Sequence, residues 1–214
     1  WRRLYILLFT WGLMRLALKR VSLIGLLFAI IFIFPVSANE PVDSAVSIDP
    51  RLADPILLDK CGVIDYSGNY FIAEGLSSSD SCFTIIASNV TLDCHGNTIE
   101  YAESSLGNGL FVKGSYVTIN DCVVSQSSKA LSNSPALSVD GADFLIVTNS
   151  RFATSGESSP AILLDGTQDE NNITGNIFIT EDSDGILING IARYNTIESN
   201  NFSQIGGDAI RIAI

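Results

Sequence analysis

The sequence predicts an all-β fold: a right-handed parallel β-helix, a solenoid of about six rungs. Three observations carry this expectation. Short apolar strings recur along the chain every 24–27 residues. Within each string the apolar residues alternate with a spacing of two, the period of a strand and not of a helix. Between the strings lie Gly, Asn, Asp and Ser, the residue types that tight turns require.

The N-terminal part is a different object. Residues 1–38 hold five of the 12 basic residues and none of the 23 acidic ones. Residues 39–214 hold the other 7 basic residues and all 23 acidic ones, a net charge of −16. Arg15, Lys19 and Arg20 precede an apolar run from Val21 to Phe34. Pro35 breaks the run, and Val36-Ser37-Ala38 places small residues at a cleavage position. That is the three-part pattern of a secretory signal. A retained membrane anchor is the other reading, favoured by the further apolar stretch Tyr5–Phe9. Met14 is the only methionine, so a signal of ordinary length could start there and leave residues 1–13 outside the true start.

Residues 39–60 carry Pro41, Pro50 and Pro55 among acidic and small residues, and read as an exposed leader. Residues 61–81 are expected to cap the solenoid, whose end rung is otherwise an unpaired edge. Residues 82–214 carry the repeat, which is expected to continue past Ile214 because that residue falls inside a strand string.

The repeat itself has three strands per period. The first is Cys82-Phe-Thr-Ile-Ile-Ala87, Gly109-Leu-Phe-Val-Lys-Gly114, Ala136-Leu-Ser-Val-Asp-Gly141, Ala161-Ile-Leu-Leu-Asp-Gly166, Gly185-Ile-Leu-Ile-Asn-Gly190 and Ala209-Ile-Arg-Ile-Ala-Ile214. The second begins at Val90, Val117, Leu145, Asn171 and Asn195, and the third at Asn97, Cys122, Ser150, Asn176 and Asn200. Stacking puts like positions in columns, one rung about 4.8 Å above the last. Phe83/Ile85, Leu110/Val112, Leu137/Val139, Ile162/Leu164, Ile186/Ile188 and Ile210/Ile212 are expected to point inward. Cys82, Gly109, Ala136, Ala161, Gly185 and Ala209 form a column of small residues where the chain bends. The polar column Asn97, Cys122, Ser150, Asn176, Asn200 has two readings. Its side chains hydrogen-bond up the stack, or its Asn residues adopt the left-handed turn conformation.

The stretch from Cys82 to Ile99, with Cys61 and Ser67-Gly-Asn-Tyr70 before it, resembles the opening rung of secreted prokaryotic, archaeal-type β-helix repeat proteins. These belong to the broad superfamily of carbohydrate-binding and sugar-hydrolase β-helices. The resemblance covers about residues 60–214 and implies fold more than function, because one fold hosts many activities.

Four cysteines after an export signal favour two disulfides. Cys61 and Cys82 are 21 residues apart, and Cys94 and Cys122 are 28 apart, each close to one coil. The expected pairs are therefore Cys61–Cys82 and Cys94–Cys122.

Candidate sites are few. Asp140 and Asp165 precede turn glycines on adjacent rungs, with Asp143 and Asp169 following them. Such carboxylates could bind a calcium ion or act as acid and base on a sugar, but Asp-Gly is first of all a solvated turn former. Asp184 and Asp208 form a second acidic pair beside the small-residue column. Arg211 shares an outward column with Phe111, Ser138, Leu163 and Leu187. His95 is the only histidine, and no Ser or Cys is paired with a base at recognisable spacing, so nucleophilic catalysis lacks support. Asn89, Asn172 and Asn201 open Asn-X-Ser/Thr acceptor triplets. No catalytic residue is assigned. The acidic balance excludes nucleic acid as a partner.

Two functions are expected from different classes. One is a non-catalytic secreted or cell-surface β-helix that is structural or binds glycans or other surface proteins. The other is the first part of a polysaccharide lyase, glycoside hydrolase or epimerase. Contact with a membrane would come only through the N-terminal apolar segment, if it is uncleaved.

Overall fold

The computed structural model describes residues 55–128 and 131–213. The signal or anchor expected over residues 1–38 and most of the leader lie outside the described residues. Among the described residues no helix is long and apolar enough to cross a membrane.

Each coil lays down three strands. The first has β2 Gly62–Ile64, β3 Gly68–Ile72 and β4 Leu76–Ser77, preceded by β1 Ile56–Leu58. The second has β5 Phe83–Ile85, β6 Val90–Asp93 and β7 Thr98–Tyr101. The third has β8 Leu110–Val112, β9 Val117–Asn120 and β10 Val123–Gln126. The fourth has β11 Leu137–Asp140, β12 Ile146–Thr148 and β13 Arg151–Thr154. The fifth has β14 Ile162–Asp169, β15 Asn172–Thr174 and β16 Ile177–Thr180. The sixth has β17 Ile186–Arg193, β18 Thr196–Glu198 and β19 Asn201–Ile205, and β20 Ile210–Ala213 follows it.

Like strands pair in parallel, giving three sheets of seven, seven and six strands. The result is an all-parallel β-solenoid of about six turns. The expected register holds in every coil compared. Ile85 pairs with Val112, Val112 with Val139, Val139 with Leu164, Leu164 with Ile188, and Ile188 with Ile212.

The stack begins earlier than the sequence reading placed it. Gly62 pairs with Phe83, Gly68 with Val90 and Leu76 with Ile99, so residues 62–77 form a complete first coil. Ile64, Tyr70, Ile72 and Leu76 are buried in the same core as later coils. Ile56–Leu58, within the expected leader, adds a further strand to the edge of β3.

The core is the sum of the inward columns. Phe83, Ile85, Leu110, Val112, Leu137, Val139, Ile162 and Leu164 are at most 1 % exposed. Leu92, Ile119, Val147 and Ile173 fill the second sheet's inner face. Ile99, Val124, Phe152 and Phe178 fill the third. Phe152 stacks on Phe178 at 5.8 Å between ring centroids, and Phe178 contacts Phe202 at 4.9 Å. The small-residue column has a steric cause. A Cβ on Gly109 would sit 2.3 Å from Val124 Cγ1, and one on Gly185 would sit 2.6 Å from the Ala209 carbonyl oxygen.

From the second coil to the sixth, two corners turn through a left-handed residue. Asn89, Tyr116, Phe144, Glu170 and Tyr194 do so before the second sheet. Gly96, Asp121, Asn149, Gly175 and Ser199 do so before the third. Bulky residues rarely adopt this conformation, yet Tyr116 (φ 59°), Phe144 (φ 56°) and Tyr194 (φ 57°) are held there by the parallel strands on either side.

The third corner is irregular and is held from inside. The second inward position of the third strand reads Tyr101, Gln126, Thr154, Thr180, all buried. Tyr101 Oη donates to the Ser134 carbonyl, Gln126 Nε2 to Leu131, Thr154 Oγ1 to Ser159 and Thr180 Oγ1 to Ser183. Burial pushes the Tyr101 pKa up, which keeps the phenol protonated and able to donate.

The register sets a sharp contrast between neighbours. Leu164 is buried between apolar rungs, whereas Leu163 on the outer face is half-buried. Leu164→Asp buries an unpaired carboxylate, at a cost of roughly several kcal/mol. Leu164→Asp is expected to abolish soluble, protease-resistant protein, while Leu163→Asp still folds. Limited proteolysis and thermal melting of the two variants side by side check this.

Candidate functional site

The residues that could carry chemistry lie at the corners, because the strands themselves commit their inward side chains to the core. Asp140, Asp165 and Asn189 stack in register in the first sheet, at the end of β11 and midway along β14 and β17. Lys113 Nζ lies 3.2 Å from Asp140 Oδ2 and 5.1 Å from the Phe111 ring centroid. Asn189 Nδ2 donates to Asp165 Oδ1 at 2.9 Å. These groups form two polar pairs, one joining the third and fourth coils and one joining the fifth and sixth.

Asp143 and Asp169 form a separate pair further along the chain. The Asp169 N–H donates to Asp143 Oδ1 at 2.8 Å, which ties the fourth coil to the fifth. The hydrogen bonds thus divide the four expected calcium ligands: Asp140 and Asp165 engage Lys113 and Asn189, whereas Asp143 accepts from the Asp169 N–H. Among the described residues, no group of three or more His, Cys, Asp or Glu side chains is placed to hold a metal ion.

Asp184 and Arg211 meet, although the sequence reading treated them apart. Arg211 Nε lies 2.7 Å from Asp184 Oδ2, and the Asp208 N–H donates to Asp184 Oδ1 at 2.9 Å. Asp184 is buried, and a buried charge persists only when paired. Both oxygens are used to fasten β20 to the sixth coil. A sequence signal for this link is absent, because the partners come from different strands and different columns.

His95 is an exposed turn residue. Its N–H donates to Asp93 Oδ1 at 2.9 Å, and its ring meets the Phe71 ring edge-on at 5.7 Å. Asn120 Nδ2 donates to the other Asp93 oxygen, and Asn120 Oδ1 accepts from Thr148 Oγ1 and Asn149 Nδ2. This outer network spans the second to fourth coils and leaves His95 with no second imidazole or nucleophile.

The polar column at the second corner is a hydrogen-bond ladder. Asn176 Oδ1 accepts from the Ser150 N–H at 2.9 Å, and Asn200 Oδ1 from the Asn176 N–H at 2.9 Å. Asn176 Nδ2 donates to the Val147 carbonyl, and Asn200 Nδ2 to that of Ile173. The left-handed residue is the one before each, so the ladder reading holds for the column and the turn reading for its neighbours. A second ladder at the first corner was not foreseen. Asn171 Oδ1 accepts from the Leu145 N–H at 2.7 Å, and Asn195 Oδ1 from the Asn171 N–H at 2.8 Å. Its signal was the in-phase recurrence of Asn171 and Asn195.

Both expected disulfides are present. Cys61 bonds Cys82 with 4.5 Å between Cα atoms, and Cys94 bonds Cys122 with 4.7 Å. Cys122 occupies the ladder position that Asn fills in later coils, so a covalent link replaces an amide contact there. Of the acceptor triplets, Asn89 and Asn201 are exposed and Asn172 is half-buried within β15.

An open cleft forms beside the sixth coil, lined by Ile188, Ile191, Tyr194, Ile197 and Ile212. It is apolar and carries no acid, base or metal ligand among those residues.

Comparison with protein-family models, with curated proteins and with solved structures returned no match.

The ladder predicts where a small change will be costly. Asn176→Ala orphans the buried Ser150 N–H and the Val147 carbonyl, at about 1–3 kcal/mol for each group. Asn189→Ala removes only an exposed contact and should stay within about 0.5 kcal/mol of the parent. Chemical unfolding of both variants measures the difference.

Proposed function

We propose that this chain is an exported, non-catalytic, right-handed parallel β-helix that serves as a scaffold at or outside the cell surface and presents its corners to glycans or partner proteins. The observation that carries the proposal is where the corner carboxylates go. Asp140 engages Lys113, Asp143 accepts from Asp169, Asp165 accepts from Asn189, and Asp184 engages Arg211. General acid–base work on a sugar needs two carboxyl groups facing one substrate. Here these carboxylates link one rung to another instead.

Export is supported by two independent features. The basic start, apolar run and small residues before Asn39 follow the signal pattern. All four cysteines are paired, with none free. Disulfides persist in oxidising compartments and are rare in reducing ones. A right-handed hand is supported by the chirality of parallel crossover connections, which are almost always right-handed. Glycan or protein binding is supported by the exposed aromatic residues Tyr116 and Tyr194 at one corner.

Expression of the whole chain with its own N-terminus tests the reading. The expected product is recovered outside the cytosol, begins at Asn39 and shows no free thiol. It retains polysaccharides or surface proteins on an affinity matrix without cutting them. Cytosolic, reduced protein contradicts export. New reducing ends or unsaturated sugar products from a polysaccharide panel contradict the non-catalytic reading.

A further inference from the structure

The first corner brings an acceptor asparagine and an open aromatic face onto neighbouring rungs. Asn89 and Tyr116 are equivalent left-handed residues one coil apart. The Asn89 N–H donates to the Ser115 carbonyl at 3.0 Å, and the Tyr116 N–H donates to that of Asp143 at 3.0 Å. The three corners therefore lie one above another, in the order Asn89, Tyr116, Phe144. The Tyr116 and Phe144 rings stack at 4.6 Å with 4° between their planes. Phe144 covers the Tyr116 face that looks up the stack. The other face looks down toward the rung that carries Asn89, and Tyr116 is 54 % exposed.

We propose that Asn89 is an N-glycosylation site, and that the first sugar of its glycan packs its C–H face on the free face of Tyr116. Asn89-Val90-Thr91 supplies the acceptor triplet. The Asn89 side chain is exposed, and its amide makes no hydrogen bond among the described residues. This separates it from Asn97, Asn176 and Asn200, whose amides are committed to the ladder. The donor is a lipid-linked oligosaccharide. Asn89 Nδ2 forms the bond to the anomeric carbon and loses one proton. The bond from that carbon to the lipid phosphate oxygen breaks, and the phosphate leaves with the electron pair.

The neighbouring rung makes this site different from the other two triplets. Strand pairing sets Asn201 beside Ile177, and Asn172 beside Ile146 and Thr196, so neither meets an aromatic ring across the ladder. At Asn89 an attached pyranose lies about one rung, roughly 4.8 Å, from the level of Tyr116. Burial of its C–H face against the ring is favourable because it removes apolar surface from water.

The inference rests on export. The test therefore uses a secretory host's own signal in place of residues 1–38, so that a failure of the native leader leaves it untouched. The host must carry an Asn-X-Ser/Thr transferase. Glycopeptide mapping of the secreted protein is expected to show Asn89 occupied. Enzymatic removal of the glycan should lower the melting midpoint by a few degrees. In Tyr116→Asp, which tolerates the left-handed corner, the same removal should leave the midpoint unchanged. Tyr116→Phe should keep the shift. On the unsubstituted glycoprotein, protons of the first sugar should show upfield ring-current displacement by NMR, which needs no variant to fold. An unmodified Asn89 in the secreted protein overturns the site. An equal melting shift with and without the ring, or sugar protons at free-glycan positions, overturns the stacking.

Discussion

Every feature of this molecule depends on one constraint: a coil cannot bury its own inner face. Each coil offers three short strands, and its inward side chains find apolar neighbours only above and below. Parallel pairing fixes the distance between coils and forces like positions into columns. Once Val139 sits between Val112 and Leu164, the whole of each strand is placed. A slip by one residue would turn every inward side chain out. Stability is therefore shared between coils and their interfaces, as in other solenoids.

The corners are the places where this economy of contact would fail, and interior polar groups hold them. A chain turning three times per coil exposes backbone N–H groups to the core, where an unpaired donor is costly. Asn171, Asn195, Asn176 and Asn200 answer with a side-chain oxygen for the N–H one coil below. Cys94–Cys122 makes a covalent link at the equivalent place early in the stack. Because the corner is held from inside, its left-handed outer residue is free to vary. Asn89, Tyr116, Phe144, Glu170 and Tyr194 occupy one column with little in common. That freedom is what lets a corner take on recognition without disturbing the coil.

The periodic part of the fold was legible and the aperiodic part was not. Inward columns could be read because strand alternation and a 24–27 residue period leave the same residue types in phase. The first coil was read as a cap because it is shorter, 21 residues from Gly62 to Phe83, and lies outside that period. The position occupied by Tyr101, Gln126, Thr154 and Thr180 escaped notice for a different reason. Each reaches a differently built loop, so the column has a common role without a common chemistry. The Asp184–Arg211 link joins two columns and has no periodic signature. Carboxylates in phase were legible as neighbours, but whether they converge depends on turn geometry. In the fifth coil Asp165 and Asp169 lie along one continuous strand, β14, and in the fourth Asp140 ends β11 before Asp143.

Coil-to-coil contacts made by interior side chains hold the corners. Residue-resolved amide exchange tests it most directly. The N–H groups of Leu145, Ser150, Asn171 and Asn176 stand at corners, where a solvated turn exchanges quickly, yet each donates to a side-chain oxygen of the next coil. They are expected to exchange as slowly as the mid-strand amides of Val147 and Ile173. Exchange at the rate of an open loop would contradict the ladder, and with it the claim that the corners are held from within.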